Sequence, residues 1–413
     1  MPAIYAPSAN IASTPGNTAP ARLAFLLLFP GFFFYQTLIG MGVIGAFLGG
    51  YFSIISIGLF PPLAYVYYVG IKASVYRVAS TDLHFGFFLF YFFAIVATNA
   101  AFGANPTIVK THLLSILYFV NIYLIFKYSD FSERRTIATT LASLLLMSAT
   151  IFFFSQAGSF QPGQFGDPTS PDSVATYQEL ARSYVMTFVT VICFTRVLAA
   201  RLVLYAIAVA ALFLNGARSE FVAALFLLPM IELYRAKHWL PFLYLVLLVS
   251  GLASIGPSVL ANHFPESRVW ELFDLSQSSS ANARHELTEH ALRTIAENPV
   301  LGAYASYPPG GYSHNILSAW VDLGFFGFAY MLFMLVRTAV GLCSRGWLVR
   351  PRSGQFLLAW SLICISLLLL VTAKTFDDMF TGAAMGAYAN YRSGQQSKSR
   401  DREATDNVEG EGP

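Results

Sequence analysis

Three basic side chains in this chain stand at the edges of apolar segments, where a charge needs a physical reason. They are Arg218 in "FLNGARSEFVAALFL", Arg284 in "SSSANARHELTEHALRTIAENP" and His314 in "YSHNILSAWVDLGFFGF". An arginine at the rim of an apolar helix costs energy unless it snorkels, pairs with an acid or faces a wet cavity. Its guanidinium can also hold an anion by two parallel hydrogen bonds, and it stays protonated even when partly desolvated. A histidine titrates near neutrality and can take a proton from a hydroxyl. Asn315, beside His314, can hydrogen-bond a substrate or cap the helix that follows. Glu220, two residues beyond Arg218, can position that arginine or pair with a helix end.

These residues sit in a chain of 413 residues that is 56% hydrophobic and 11% charged, with 38 phenylalanines. Soluble domains carry about 25% charged residues. So much apolar surface requires lipid as its solvent. A net charge of +3, scattered along the chain, leaves no nucleic-acid footprint. Cys193, Cys343 and Cys364 lack metal-ligand spacing and avoid the long loops, which argues against a disulfide framework.

A helix needs about 20 apolar residues to cross the hydrocarbon core. Such stretches fall at 22–47, 50–71, 85–102, 107–126, 136–155, 177–195, 198–214, 218–234, 239–257, 313–336, 356–373 and 375–391. The expected fold is therefore all-α: a polytopic membrane protein of about twelve transmembrane helices. The Pro61-Pro62 pair should kink the second span. Lys and Arg fall on alternate connections: Lys72 and Arg77, Lys127 with Arg134 and Arg135, Arg196 and Arg201, Arg235 and Lys237, Arg337 through Arg352, and the tail from Arg392. That alternation agrees with the span count and assigns the basic side to the cytoplasm. The resulting layout has a disordered N-terminal tail (1–21), spans one to nine (22–257), a large non-cytoplasmic loop (258–312), three more spans (313–391) and a disordered C-terminal tail (392–413). The first 20 residues carry no charge and do not read as a signal peptide. A second non-cytoplasmic loop covers about 156–176.

Within the large loop, "ESRVWELFDL" (266–275) is amphipathic enough to lie in the membrane interface. The stretch from Ser278 to Pro299 reads as one helix, N-capped near 280–282 and ended by Asn298-Pro299. Leu287, Ala291 and Ile295 recur every fourth residue and form an apolar stripe that Arg284 and Thr288 extend. "YPPGGY" then turns the chain back to the membrane at His314.

Three runs in this region resemble the O-antigen ligase and polysaccharide polymerase superfamily of bacterial envelope enzymes. They are "NGARSEFVAALF", "ARHELTEHALRTIAENPVLGAY" and "HNILSAWVDLGFFGF", together covering about 213 to 330. The upstream spans fit only by number and hydropathy. Two departures stand out: Thr288 where many members have Trp, and "LGAY" where "LGVG" is usual. The resemblance implies transfer of a glycan from an undecaprenyl diphosphate lipid at the periplasmic face of the bacterial inner membrane. The acceptor would be a sugar hydroxyl, on lipid A-core for a ligase or on another repeat unit for a polymerase. Arg218, Arg284 and His314 would be the catalytic residues, with Arg218, Arg284 and Asn315 holding substrate. In that chemistry the arginines stabilise the diphosphate as it leaves and the histidine takes the acceptor's proton, so neither cofactor nor metal is expected.

Competing readings remain. Arg268 and Arg293 rival Arg284 as the second phosphate ligand, and His285 and His290 read as solvated loop residues. Lys110, Glu179 and Arg182 stand at non-cytoplasmic mouths and could line a substrate entrance. Asp377-Asp378 could bind a cation or orient the acceptor, but reads more simply as a solvated turn pairing Lys374. The runs "GFFFYQ" and "HFGFFLFYFF" read as lipid-facing or packing residues. A transporter or lipid-glycan flippase is the rival of another class. It should bury ionisable groups at mid-depth, where these spans carry almost none.

Overall fold

The computed structural model describes residues 18–48, 50–73, 78–156, 158–160, 176–235, isolated positions between 242 and 269, 279–307, 311–349 and 353–410. Among them the regular structure is helical. In chain order the helices are α1 (Ala19–Gly40), α2 (Phe52–Lys72), α3 (Ser80–Ala101), α4 (Pro106–Tyr128), α5 (Arg134–Phe154) and α6 (Tyr177–Phe194). They continue as α7 (Leu198–Asn215), α8 (Arg218–Arg235), α9 (Ser279–Glu297), α10 (Leu317–Val349), α11 (Gly354–Thr372) and α12 (Met379–Gly410).

Eight of these segments are long and apolar enough to cross a membrane: α1 to α5, α7, α10 and α11. Their outward faces carry the side chains that lipid demands. In α3, Phe85, Phe88 and Phe92 are buried while Phe87, Phe90 and Phe93 point outward, so one phenylalanine-rich run both packs and faces the surroundings. The expected ninth span (239–257) and the amphipathic run 266–275 lie almost wholly outside the described residues, as does most of 156–176.

Local chemistry accounts for the departures from the expected boundaries. The first span ends at Gly40 rather than 47, and it holds a wider π turn, Leu27–Gly31, around Pro30. A proline lacks the N–H for the helical ladder, and an extra residue in the turn absorbs the defect. Helix α2 runs on through Pro61-Pro62. Helix α12 continues to Gly410, where a disordered tail was expected from 392. That stretch is polar but contains no proline before Pro413, and its Gln, Lys, Arg, Glu and Ala residues favour helix.

Helix α12 is also central, although its apolar content is modest. It packs on α4 and α11. The small residues of "GAAMG" permit this: a Cβ at Gly386 would lie 2.4 Å from the Tyr123 carbonyl oxygen. A core rich in phenylalanine, including Phe25, Phe29, Phe88, Phe119 and Phe126, joins α1, α3 and α4.

One end of the bundle is tied by ion pairs. Arg22 at the start of α1 meets Glu133 before α5 at 3.1 Å. Lys127 at the end of α4 meets Asp82 at the start of α3. Arg201 in α7 grips Glu232 in α8 by two bonds of 2.5 and 2.6 Å, and Tyr205 donates to the same carboxylate at 2.7 Å. Arg235 donates to the Cys193 carbonyl at the end of α6. All these residues lie at the end that the sequence reading assigns to the cytoplasm. The starts of α4, α6, α8 and α10 lie at the opposite end.

Candidate functional site

At that opposite end, three short segments converge on the start of α10. The first is the α7–α8 turn. Gly216 closes α7 in the left-handed conformation (φ 76°), its N–H meeting the Leu212 carbonyl at 3.2 Å, and α8 begins two residues later at Arg218.

The second is α9 with the turn-rich return that follows it. The predicted stripe of Leu287, Ala291 and Ile295 packs with Tyr307, Leu317 and Val321 in a small core of its own. The "NPVLG" and "VDLG" runs then lie backbone to backbone: Ala303 N–H donates to Val321 O at 2.8 Å and Phe325 N–H to Val300 O at 3.0 Å. Gly302 and Gly324 both have φ 69°. A Cβ at Gly302 would come within 2.4 Å of Val321 O, and one at Gly324 within 2.6 Å of Val300 O. Gly324 breaks α10, so its first two turns are set apart from the long helix that follows. These glycines carry the resemblance noted in the sequence, and here they dock α9 onto α10.

The third segment is the turn from Ala373 to Asp378. Phe376 N–H donates to Ser318 Oγ at 3.0 Å, and Ser318 in turn donates to Asn315 O at 2.8 Å. Asn315 accepts from Leu317 N–H at 2.9 Å and from Ser313 Oγ at 2.8 Å, and its amide donates to Thr288 Oγ1 at 3.2 Å. Of its two readings, Asn315 therefore fulfils the capping one. It caps α10 and cross-links it to α9.

This scaffold brings the predicted basic residues together. Arg284 is half-buried, and its Nε has no hydrogen-bond partner among the described residues. Burial lowers its pKa, and the neighbouring positive charge of Arg218 lowers it further. His314 is pushed down to about 4, first by burial and then by the charge of Arg284, with Lys374 and Arg182 adding to it. A hydrogen bond to the Ala373 carbonyl opposes that shift. His314 is thus a neutral imidazole at neutral pH, held among like charges. Its ring lies 4.5 Å from that of Tyr312.

Beneath these groups lies an ion network that the sequence reading did not assemble. Glu220 is fully buried and meets Lys374 Nζ at 2.8 Å and Arg182 Nε at 3.7 Å. Arg182 also meets Asp378 Oδ2 at 3.5 Å. The expected solvated turn is therefore corrected: Asp378 and Lys374 are 6% and 3% exposed, and each takes its partner from another helix. Desolvated charges select the partner that three-dimensional packing supplies, not the one nearest in sequence. Glu220 holds α6, α8 and the Ala373–Asp378 turn together.

Beside this network opens a cavity of about 590 Å³. Glu179, Arg182, Asp322, Asp377, Asp378 and Tyr312 line it, so Tyr312 forms part of the wall between the cavity and His314. Of the three residues placed at mouths, Glu179 and Arg182 reach this cavity, whereas Lys110 is exposed and does not. Among the rivals of Arg284, Arg293 is exposed and Arg268 lies outside the described residues. His285 is solvated and pairs with Glu289 at 3.2 Å. His290 is not solvated; its ring packs 4.8 Å from Tyr307 and its Nε2 is buried. His112 and Asp322 also line the cavity and were missed, because each reads as a lone polar residue in an apolar helix.

Comparison with family models, with curated proteins and with solved structures yields no match to this chain. The chemistry must therefore be argued from the arrangement itself. It sets positive charge from Arg218 and Arg284 near a neutral imidazole, and an acidic chamber on the other side of one tyrosine.

Proposed function

We propose that this protein is a glycosyltransferase of the bacterial inner membrane, with twelve spans and a site that faces the periplasm. It moves a glycan from a polyprenyl diphosphate to a sugar hydroxyl. The observation that carries this reading is the neighbourhood of Arg218, Arg284 and His314: the charge of Arg218 acts on Arg284, and the charge of Arg284 acts on His314. Like charges held together at a site raise the free energy of the empty protein, and an anionic ligand relieves that cost. A diphosphate is the anion that two guanidiniums suit best.

In the reaction, the acceptor hydroxyl attacks the anomeric carbon of the donor sugar. The bond from that carbon to the diphosphate oxygen breaks, and the electron pair leaves with the diphosphate. Arg218 and Arg284 stabilise the negative charge that grows there. His314 takes the hydroxyl proton. With a pKa depressed first by burial and then by Arg284 it is a weak base in the empty site, and the arriving diphosphate raises its basicity by offsetting the charge of Arg284. The resemblance of the three motif runs to O-antigen ligases and polysaccharide polymerases supports the same chemistry. A flippase fits less well: the buried charged side chains Lys127, Arg201, Glu220, Glu232, Lys374 and Asp378 sit near helix ends, and Asp322 is the one that lies further in, on the second turn of α10, among the described residues.

The test is reconstitution of the purified protein in liposomes with a polyprenyl-diphosphate-linked oligosaccharide. The expected products are a lengthened or transferred glycan and free polyprenyl diphosphate, both lost in Arg284→Ala and His314→Ala. Movement of the lipid between leaflets with no new glycosidic bond would overturn the assignment.

A further inference from the structure

The cavity and the cationic group are neighbours of opposite character. Four carboxylates line the cavity (Glu179, Asp322, Asp377 and Asp378) against one guanidinium, Arg182. Arg182 is already engaged by Asp378 and Glu220. Tyr312 sits on the divide: burial raises its pKa, Arg182, Asp377 and Glu179 of the cavity lining act on it with opposite signs, and Arg284 acts on it as a positive charge. A diphosphate entering the cavity would meet net negative charge, whereas the basic trio offers it the reverse.

The polar groups of the cavity are incompletely used. Asp377 accepts from Ser115 Oγ at 2.7 Å through one oxygen, Oδ2, and Oδ1 has no donor among the described residues. Glu179 spends Oε2 on the Thr176 N–H at 2.9 Å and keeps Oε1. Two deeper residues behave likewise. Asp322, 8% exposed, takes the Ala305 N–H at 3.1 Å on Oδ1 alone. His112, also 8% exposed, uses Nδ1 with Tyr304 Oη at 3.0 Å and has no partner for Nε2 among the described residues. These free acceptor and donor atoms open onto the cavity, where together they can meet a ligand rich in hydroxyl or amino groups. Phe52, Tyr118 and Tyr307 supply ring surface in the same wall. The volume of about 590 Å³ lies within the usual range for small-molecule sites, roughly 300–1,000 Å³.

We propose that this chamber is the acceptor's sugar subsite, and that it takes a neutral or amino-bearing sugar and rejects one carrying phosphate near the receiving hydroxyl. The assignment of the bound sugar as acceptor rests on the glycosyltransferase reading above; the charge preference of the chamber does not. Carboxylates accept hydrogen bonds from sugar hydroxyls and attract ammonium groups, but they repel phosphate. Of the two transferases that share the motif runs, the chamber therefore favours one that extends an unphosphorylated repeat unit.

The test uses the full chain in nanodiscs and three probes: maltotetraose, a glucosamine tetrasaccharide, and maltotetraose phosphorylated at O6 of its terminal residue. Saturation-transfer NMR is expected to rank binding as glucosamine first, maltotetraose second and the phosphorylated sugar at least tenfold weaker. Asp377→Asn and Glu179→Gln should each cut the glucosamine-to-phosphate ratio several-fold, and both keep the local hydrogen bonds that a carboxylate oxygen accepts. Equal binding of the phosphorylated and neutral sugars, or ratios unmoved in both variants, would overturn the proposal. Rate measurements with the same sugars as acceptors separate the two claims. The expected order in binding with no transfer from any diphosphate-linked donor would remove the enzymatic reading and the word acceptor, yet leave a phosphate-excluding sugar site. Transfer that prefers the phosphorylated acceptor would leave the enzyme and remove the subsite.

Discussion

The two ends of this bundle use positive charge in opposite ways. At the basic end, Arg201 is locked to Glu232, Lys127 to Asp82 and Arg22 to Glu133. Each of these pairs joins two helices, and charge there works as a staple. At the other end, Glu220, Lys374, Arg182 and Asp378 form a comparable staple, but there the charge of Arg218 also acts on Arg284, and that of Arg284 depresses His314. There, burial and the charge of Arg218 disfavour the Arg284 cation, and burial and the charge of Arg284 disfavour an imidazolium at His314. Under the proposed function, the contrast separates charge that stabilises the fold from charge that meets a ligand.

Substitution tests that contrast directly. Arg218→Ala or Arg284→Ala is expected to lower glycan transfer by about 10²–10³-fold with normal levels of folded protein, as for the loss of one donor to a developing anion. Transfer assays beside size-exclusion profiles would read both. Arg201→Ala should do the converse: it leaves Glu232 buried without its partner, costs about 3–5 kcal/mol of stability, and spares turnover per folded molecule. If Arg201→Ala proved harmless and Arg284→Ala unfolded the protein, the two ends would have to exchange roles.

Gly324→Ala is expected to be next in size. It forces a Cβ toward the Val300 carbonyl at a positive φ, for a cost of about 1–3 kcal/mol. Hydrogen exchange should show α9 loosened from α10 while the membrane helices keep their protection, with transfer lost in proportion. The subtler prediction concerns pH. In the empty protein the His314 resonance should titrate near 4, below the ordinary value, because burial and Arg284 disfavour the imidazolium. Arg284→Gln should move it up part of the way, since burial still holds it down, and so should saturating polyprenyl diphosphate in the unaltered protein. The sign matters: His314 accepts a proton only when neutral, so raising its pKa makes activity fail at a higher pH during acidification. An Arg284→Gln spectrum unchanged from the parent would separate the two residues. Least of all, His285→Ala should change stability by no more than about 0.5 kcal/mol and leave transfer intact, since its ring and its Glu289 partner are exposed.

Much of the architecture was legible because it depends on local pattern. Apolar runs marked the helices that are long enough to span a membrane, and the four-residue spacing of Leu287, Ala291 and Ile295 correctly gave the buried face of α9. Helix α12 shows the limit of that approach. Its small residues read as weakly apolar, yet they let it sit at the centre against α4. His290 was read as solvated because its neighbours in sequence are polar, while Tyr307, which covers it, arrives from beyond the end of α9.

The candidate site divides along the same line. The residue types of Arg218, Arg284 and His314, and their positions at helix rims, could be read directly from the chain, since a charge at the edge of an apolar run stands out against its background. The pairing of Lys374 with Glu220, the burial of Asp378 and the joining of His112, Asp322 and Asp377 around one cavity could not. Composition and period report what each segment requires of its surroundings. Which segment meets that requirement depends on packing between helices far apart in the chain, and only the folded bundle brings them within a few ångströms.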